Sequence, residues 1–322
     1  MTAFAPPKDQ ETWQEWIRYY NLDGESLHTF RPLQSASKAT VAQFLLCRIL
    51  HDPKPAAEFR RDIELWGLTE HMTRARQLLT VDYSEFDNYL TSISQDSGVT
   101  YKGADDTLPL GIFELPRECQ RHIHDYGHGY TPRVTSHLHT ESVVPDADEE
   151  SVNIALVNLL QAICLKVPGV MSRWVSTRLR LKADFRDNNS FLALVDGALS
   201  IWGEPEKLYA LIECKARELG IGLTKVLVQQ ALEIVAWLMQ KTRPACALPG
   251  RILLVSQDRH EIFLTVGTLD RHYLSFLQGK PAPERFLKLT VYGPWDTKVA
   301  LQMAYLAEVI LAFTLRVGTG ET

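Results

Sequence analysis

From residue 149 onward the chain alternates between helical and strand-like hydrophobic periodicity, and this alternation restricts its fold more than any other feature. A helix is predicted first, from Glu149 to Lys166. The elements predicted after it are strands at Thr177 to Phe185, Phe191 to Ile201 and Leu208 to Lys215, a helix at Thr224 to Lys241, strands at Arg251 to Ser256, Glu261 to Val266 and Phe286 to Tyr292, and a helix at Asp296 to Arg316. Helices interleaved with strands in this way predict an α/β fold with helices packed on a sheet.

The earlier part of the chain has a different pattern. Apolar residues recur at helical spacing up to about Ile93, as at Trp13 and Ile17, and a further helical stripe runs from Val41 to Ile49. Between residues 94 and 146 this periodicity fades. We therefore predict three parts: a helical N-terminal region over 1–93, a long loop or connection over 94–146 that contains His, Gly and Pro, and an α/β domain over 147–322.

Composition limits the possible partners. The chain has 322 residues, 45% of them hydrophobic, and a net charge of -5. Because nucleic acid binding depends on neutralisation of phosphates by Lys and Arg, a nucleic acid would have to meet a local basic surface. Residues 1–8 have no apolar run behind a basic start, and no stretch approaches the roughly 18 apolar residues of a membrane span. We expect an intracellular protein, in the nucleus or cytoplasm, with no membrane partner.

The segments Leu194 to Gly197 and Ile212 to Lys215 each place charges at the end of an apolar strand. Asp196 lies in the first, and Glu213 follows seventeen positions later. Because side chains alternate along a strand, Glu213 and Lys215 share a face. Converging carboxylates repel each other, and a divalent cation between them relieves that repulsion. A solvated strand end and a simple turn at Asp196 would account for the same residues.

Asp196 together with Glu213-Cys214-Lys215 resembles the motif of the PD-(D/E)XK, or restriction-endonuclease-like, nuclease superfamily. In that superfamily an Asp on the second core strand precedes Glu-x-Lys on the third. The core runs helix, three strands, helix, strand (αβββαβ), and forms a mixed sheet flanked by helices. The resemblance covers roughly residues 147–316, with Val195 where the family often has Pro. Some fungal members are similar in having a helix with Gln, a strand hairpin and a long final helix after Glu-x-Lys.

The resemblance implies a set of site residues. Asp196, Glu213 and the carbonyl of Cys214 would hold Mg²⁺ or Mn²⁺, and Lys215 would orient the attacking water and stabilise transition-state charge. A further Glu is implied on the first helix. Glu149 is the first choice, since it shares a helical face with apolar residues, and Glu150 is the second. A Gln is implied on the helix after Lys215, where the sequence leaves Gln229 and Gln230 equally open.

The implied activity is metal-dependent hydrolysis of phosphodiester bonds in nucleic acid, DNA rather than RNA. The intact set of Asp196, Glu213 and Lys215 favours this activity. The alternative is an inactive or repurposed nuclease-like fold that serves as a binding or scaffold module or in other chemistry. The acidic net charge favours the alternative.

Cations alternate with apolar residues near the first predicted strand of this domain. They are Arg178, Arg180 and Lys182, with Arg173 just before them. They would suit contacts to a phosphate backbone. The exposed face of any half-buried strand shows the same alternation.

Histidines are concentrated in the middle of the chain. Five of the ten lie between residues 122 and 139, at His122, His124, His128, His137 and His139. Imidazole is a good ligand for transition metals, but this spacing does not fit a closed zinc site. We therefore predict no structural zinc here. The five cysteines contain no CxxC pair, which argues against a thiolate zinc site and a disulfide framework.

Overall fold

The computed structural model describes residues 4–81, 84–96, 108–126, 149–168, 170–216, 223–242, 244–245, 248, 250–280 and 285–318. The helices are α1 (Gln10–Tyr19), α2 (Val41–Leu46), α3 (Phe59–Asp62), α4 (Thr69–Val81), α5 (Ser84–Asp96), α6 (Glu114–Tyr126), α7 (Glu149–Leu165), α8 (Leu223–Leu238), α9 (Arg271–Leu277) and α10 (Ala300–Gly318). The strands are β1 (Ile49–Lys54), β2 (Ser172–Val175), β3 (Leu179–Asp184), β4 (Ser190–Val195), β5 (Gly197–Ile201), β6 (Glu204–Lys215), β7 (Arg251–Asp258), β8 (Glu261–Thr268) and β9 (Leu287–Asp296).

A seven-stranded mixed sheet forms the centre of the fold, in the order β1-β9-β8-β7-β6-β5-β2. β1 runs parallel to β9, and β6 runs parallel to β7. The other neighbours in this sheet are antiparallel. β3 and β4 form a separate antiparallel pair. The predicted α/β class, with a mixed sheet flanked by helices, is confirmed.

The two faces of the sheet contribute to two different cores. Because successive side chains of a strand point to opposite faces, Leu211 and Ile212 enter different cores. Ile212 lies in the core that contains α7 and α10. Leu211 lies in the core that contains α8, where it joins Leu232 and Leu254. The end of β6 therefore presents Glu213 and Lys215 to the α8 side.

Helix α10 is long and apolar enough to cross a membrane, by length and composition alone. Most of that stretch is buried within the protein, where Ile310, Leu311 and Phe313 belong to the core beside α7. Burial in a core is a sufficient reason for the apolar composition of this helix.

The N-terminal region 1–93, predicted to be helical, contains a strand, at Ile49–Lys54. This segment is strand β1, which adds to the edge of the main sheet through parallel pairing with β9. A positive φ of 51° at Arg48 separates it from helix α2. Pairing with a strand far along the chain overrides the local helical pattern, which ends on Ile49.

The prediction of a loop or connection over residues 94–146 is wrong at Glu114–Tyr126. These residues form helix α6, which packs against α7 and buries Ile123. Arg117 forms an ion pair with Asp96, at the end of α5. His122 and His124 lie on α6, whereas His128, His137 and His139 lie outside the described residues.

Candidate active site

Asp196 lies between β4 and β5, where the chain passes from the β3–β4 pair into the main sheet. Its backbone N–H donates to the carbonyl oxygen of Ile212 at 3.0 Å, and its Oδ2 accepts from the backbone N–H of Cys214 at 2.9 Å. At Gly197 a Cβ atom would stand 2.3 Å from the carbonyl oxygen of Val175, so the close approach requires glycine. The prediction of one continuous strand over 191–201 is therefore wrong, because β4 ends before Asp196 and β5 begins after it. The same junction holds the Asp196 carboxylate against β6.

Glu213 and Lys215 project from one face at the end of β6, as the alternation of strand side chains predicts. Nζ of Lys215 is 2.6 Å from Oε1 of Glu213, and it donates to Oε1 of Glu149 at 3.0 Å. Burial disfavours the charged form of Lys215. The carboxylates of Glu213 and Glu149 outweigh this effect and raise the pKa of Lys215, so its ammonium stays charged.

Three carboxylates meet beside this ammonium. Glu149, Asp196 and Glu213 each offer an oxygen, and these oxygens lie within 4.8 Å of one another. Ligand distances of about 2.0 to 2.6 Å allow two oxygens on one cation to stand up to about 5.2 Å apart. Oε2 of Glu213 is buried and has no hydrogen-bond partner within the described part of the chain. The group therefore fits a single divalent cation.

The raised pKa values of Asp196 and Glu213 show that this site disfavours negative charge. Asp196 is 7% exposed and Glu213 is 1% exposed. Burial raises the pKa of Asp196. Burial, followed by the nearby carboxylate of Glu233, raises the pKa of Glu213 well above its usual value. A bound cation would offset both causes, because it compensates lost hydration and carboxylate repulsion.

Helix α8 provides a buried amide and a buried acid behind Glu213. Nε2 of Gln229 donates to Oε1 of Glu213 at 2.5 Å and to Oε1 of Glu233 at 2.8 Å. Gln229, rather than Gln230, is therefore the glutamine at this site. The sequence analysis missed Glu233. The sequence feature that could have identified Glu233 is an acid four residues after a Gln in an otherwise apolar helix.

Replacing Glu233 by Gln is expected to make stability less dependent on pH. Burial raises the pKa of Glu233 from a usual value of 4.5 to about 8. The folded protein thus keeps a proton that the unfolded chain releases, and the free energy of unfolding falls as pH rises from about 5 to about 8. Gln is neutral throughout and still accepts from Gln229. At about pH 9 the free energy of unfolding of Glu233→Gln should therefore exceed that of the wild type by about 4 to 5 kcal/mol.

Urea unfolding in EDTA across this pH range measures the effect. Glu206→Gln is the matched control, because Glu206 is an exposed acid on β6. Equal pH dependence in the wild type and Glu233→Gln would contradict the assignment of a buried, protonated Glu233.

Glu150 and Arg178 lie beside the three carboxylates rather than among them. Nη2 of Arg178 donates to Oε2 of Glu150 at 3.1 Å, and its Nε lies 3.6 Å from Oδ1 of Asp196. Glu150 is thus held at the exposed edge of the site. Arg180 and Lys182 are exposed on β3, where Lys182 pairs with Asp184 at 2.6 Å. Arg173 lies on β2, and its guanidinium is 4.2 Å from the ring centre of Trp202.

Cys214 faces away from Glu213 and Lys215. Its thiol is buried in the core beside α7, 4.0 Å from Oδ1 of Asn153. Nδ2 of Asn153 donates to the carbonyl oxygen of Asp196 at 3.4 Å. Cys214 and Asn153 therefore help to position the loop that carries Asp196.

A fourth acid, Asp258, ends strand β7 beside the site. It is the register partner of Lys215, and it is 1% exposed. Burial raises the pKa of Asp258 to about 7. The sequence analysis missed this residue as well, although it follows the apolar run of β7 in the same way that Glu213 follows that of β6.

No protein-family model, curated protein or solved structure matches this chain.

Proposed function

We propose that this protein is a metal-dependent nuclease of the PD-(D/E)XK, restriction-endonuclease-like type, which hydrolyses phosphodiester bonds in nucleic acid, with DNA as its preferred substrate. The observation that carries the proposal is the convergence of Glu149, Asp196 and Glu213 within 4.8 Å, with the ammonium of Lys215 contacting two of them. The simpler explanation, a solvated strand end, conflicts with the burial of Asp196 and Glu213. Buried acids with strongly shifted pKa values are concentrated at functional sites.

The order of elements around the site also supports the proposal. Helix α7 comes first, Asp196 lies at the start of β5, Glu213 and Lys215 end β6, and helix α8 and strand β7 follow. This order corresponds to helix, strands, helix, strand, with Asp before Glu-x-Lys. The chain departs from the simple pattern by having both β2 and the β3–β4 pair before Asp196.

Glu149, Asp196 and Glu213 would hold the cation, Mg²⁺ or Mn²⁺. The free oxygen of Glu213 and the spacing of the three carboxylates fit such an ion. When bound, a divalent cation supplies positive charge to a phosphate and makes water more acidic.

The side chains around the carboxylates have separable roles. The backbone N–H of Cys214 fixes Asp196, and the amide of Gln229 holds Oε1 of Glu213. The ammonium of Lys215 donates to the attacking water and stabilises charge that develops on the phosphate. Arg178, at the edge, contacts a neighbouring phosphate of the strand.

The exposed cations away from the centre are assigned to the nucleic acid backbone. They are Arg173, Arg180 and Lys182. They supply the local positive surface that the net charge of -5 does not provide. The proposed location is intracellular, in the nucleus or cytoplasm. Incubation with labelled single- and double-stranded DNA and RNA, with Mg²⁺, Mn²⁺ or EDTA, tests the proposal.

Divalent metal is expected to stabilise the protein through this site. A ligand that binds only the folded state adds about 2.7 kcal/mol at 100 times its dissociation constant. Thermal unfolding in increasing Mn²⁺ should therefore show a rising midpoint for the wild type. Asp196→Ala and Glu213→Ala should each lose most of this response.

Asp184→Ala is the matched control for metal binding, because Asp184 is an exposed acid on β3 that pairs with Lys182. It should respond to Mn²⁺ as the wild type does. An equal response in Asp196→Ala and Glu213→Ala would place the metal elsewhere.

A further inference from the structure

An open cavity of about 680 Å³ lies beside the candidate active site, on the same face of the sheet. Four strands form its floor through Ser256 and Asp258 of β7, Phe263 of β8, Val291 of β9 and Pro53 of β1. Helix α8 contributes Leu227 and Gln230, and the N-terminal segment contributes Ala5 and Pro6. Its volume falls within the range of about 300 to 1,000 Å³ that is common for ligand sites.

The strand register joins this cavity to the catalytic residues. Ser256 is the partner of Glu213, and Asp258 is the partner of Lys215, in the parallel pair β6–β7. Paired residues of neighbouring strands point to the same face, about 4.8 Å apart. Gln230, in the cavity wall, directly follows Gln229, which contacts Glu213. The cavity therefore begins one strand away from the proposed scissile phosphate.

Two residues that line the cavity each have a buried polar atom that lacks a hydrogen-bond partner among the described residues. Oδ1 of Asp258 is one, although Asp258 is 1% exposed, and Nε2 of His51 is another. A buried acceptor without a partner is costly, and a ligand that donates to it would remove that cost. The remaining lining includes the charged residues Lys8, Lys54 and Glu261, and apolar side chains such as the ring of Phe263.

The charges and shape select one kind of occupant. Asp258 and Glu261 line the cavity together with Lys8 and Lys54, so the formal charges balance and the lining favours neither an anion nor a cation. An uncharged, flat group with apolar faces and a hydrogen-bond donor at its edge suits the walls and the free oxygen. Unstacked bases are recognised by such means, with stacking on apolar or aromatic side chains and hydrogen bonds to the edge of the base.

We propose that this cavity binds one nucleobase of the nucleic acid, turned out of its stack beside the scissile phosphate, and that Asp258 selects a base with an exocyclic amino group. The proposal rests on the nuclease function proposed above. Phe263 and Pro53 contact the faces of the base, and Asp258 accepts from its amino group. A base without this amino group would leave the acceptor oxygen of Asp258 without a donor.

Two nucleosides that differ only in this group provide the test. 2′-Deoxycytidine carries an amino group at C4, where the 2′-deoxyriboside of pyrimidin-2-one carries a hydrogen. Titration calorimetry on the full chain in EDTA at about pH 8.5, where Asp258 is ionised, should show binding of deoxycytidine at least about tenfold tighter than that of the pyrimidin-2-one nucleoside. Asp258→Asn should bring the two nucleosides within about threefold of each other, because the amide can donate as well as accept.

Phe263→Ala is the second variant, since Phe263 is partly exposed and is not a deeply buried core residue. It should weaken deoxycytidine binding about tenfold through loss of stacking. The control, Asp184→Asn, should bind both nucleosides as the wild type does. Absence of nucleoside binding, or an unchanged preference in Asp258→Asn, would overturn the proposal.

The experiment is independent of cleavage, so the two proposals can fail separately. If the protein binds deoxycytidine through Asp258 but cuts no nucleic acid, the base-binding proposal stands and the nuclease proposal is wrong. If the protein cuts nucleic acid but binds neither nucleoside, the nuclease proposal stands and the base-binding proposal is wrong.

Discussion

Replacing Lys215 by alanine is expected to slow cleavage of nucleic acid at least about a hundredfold, and added Mn²⁺ should not restore the rate. The three carboxylates remain in this variant, so it should still bind the cation. It lacks the ammonium that lies 2.6 Å from Glu213 and 3.0 Å from Glu149, which is the group that we assign to the attacking water and the developing charge. Single-turnover rates with saturating protein measure this effect.

Lys207→Ala is the matched control, because it removes an exposed lysine of β6 that pairs with Glu204 and has no assigned role. It should cut at close to the wild-type rate at low ionic strength. Thermal unfolding of each variant checks the fold, since the loss of Lys215 leaves Glu213 without this ion pair. A folded Lys215→Ala protein that cuts as fast as the wild type would contradict the assigned role.

Asp196→Ala and Glu213→Ala are each expected to lose at least about a hundredfold in rate with Mg²⁺, through weakened metal binding. Higher Mn²⁺ should partly restore both variants, in contrast to Lys215→Ala. Substrate binding should survive best in Asp196→Ala, because removal of an anion near the phosphates reduces repulsion. Cleavage at increasing Mn²⁺, together with binding of labelled DNA in EDTA, separates the two effects.

Asp184→Ala controls for the general loss of a carboxylate in this pair of experiments, because Asp184 is exposed and lies outside the metal group. If Asp196→Ala and Glu213→Ala cut at the rate of this control, the carboxylates are not the metal ligands of the reaction.

The central residues of the site could be predicted because the signal is local. Charges at the ends of two apolar strands pointed to Asp196, Glu213 and Lys215, and strand alternation gave the shared face of the last two. Helical phase favoured Glu149 over Glu150, and the structure places Glu149 with the carboxylates and Glu150 on Arg178.

Other parts of the site depend on tertiary packing that no local pattern records. The rotation of α8 decides which of two adjacent glutamines meets Glu213, and here Gln229 does. Asp258 reaches Lys215 only because β7 pairs in parallel with β6. Glu233 lies behind Glu213 because the buried face of α8 packs on that side of the sheet.

The fold shows the same division between local and distant determinants. The α/β class followed from periodicity along the chain. Strand β1 did not, because His51, Asp52 and Pro53 give it no apolar alternation, and its pairing with β9 joins distant parts of the sequence. Helix α6 was missed because its sequence is mostly polar, with Pro116 in its first turn.

Cleavage of end-labelled nucleic acid by the wild-type chain tests the central claim most directly. Single- and double-stranded DNA and RNA would each be incubated with Mg²⁺, Mn²⁺ or EDTA, beside Lys215→Ala prepared in the same way. The predicted result is cutting by the wild type with either metal, strongest on DNA, and none with EDTA or with Lys215→Ala. Cutting that persists in EDTA or in Lys215→Ala, or no cutting of any substrate by the folded wild type, would contradict the nuclease assignment and favour a binding or scaffold role for this fold.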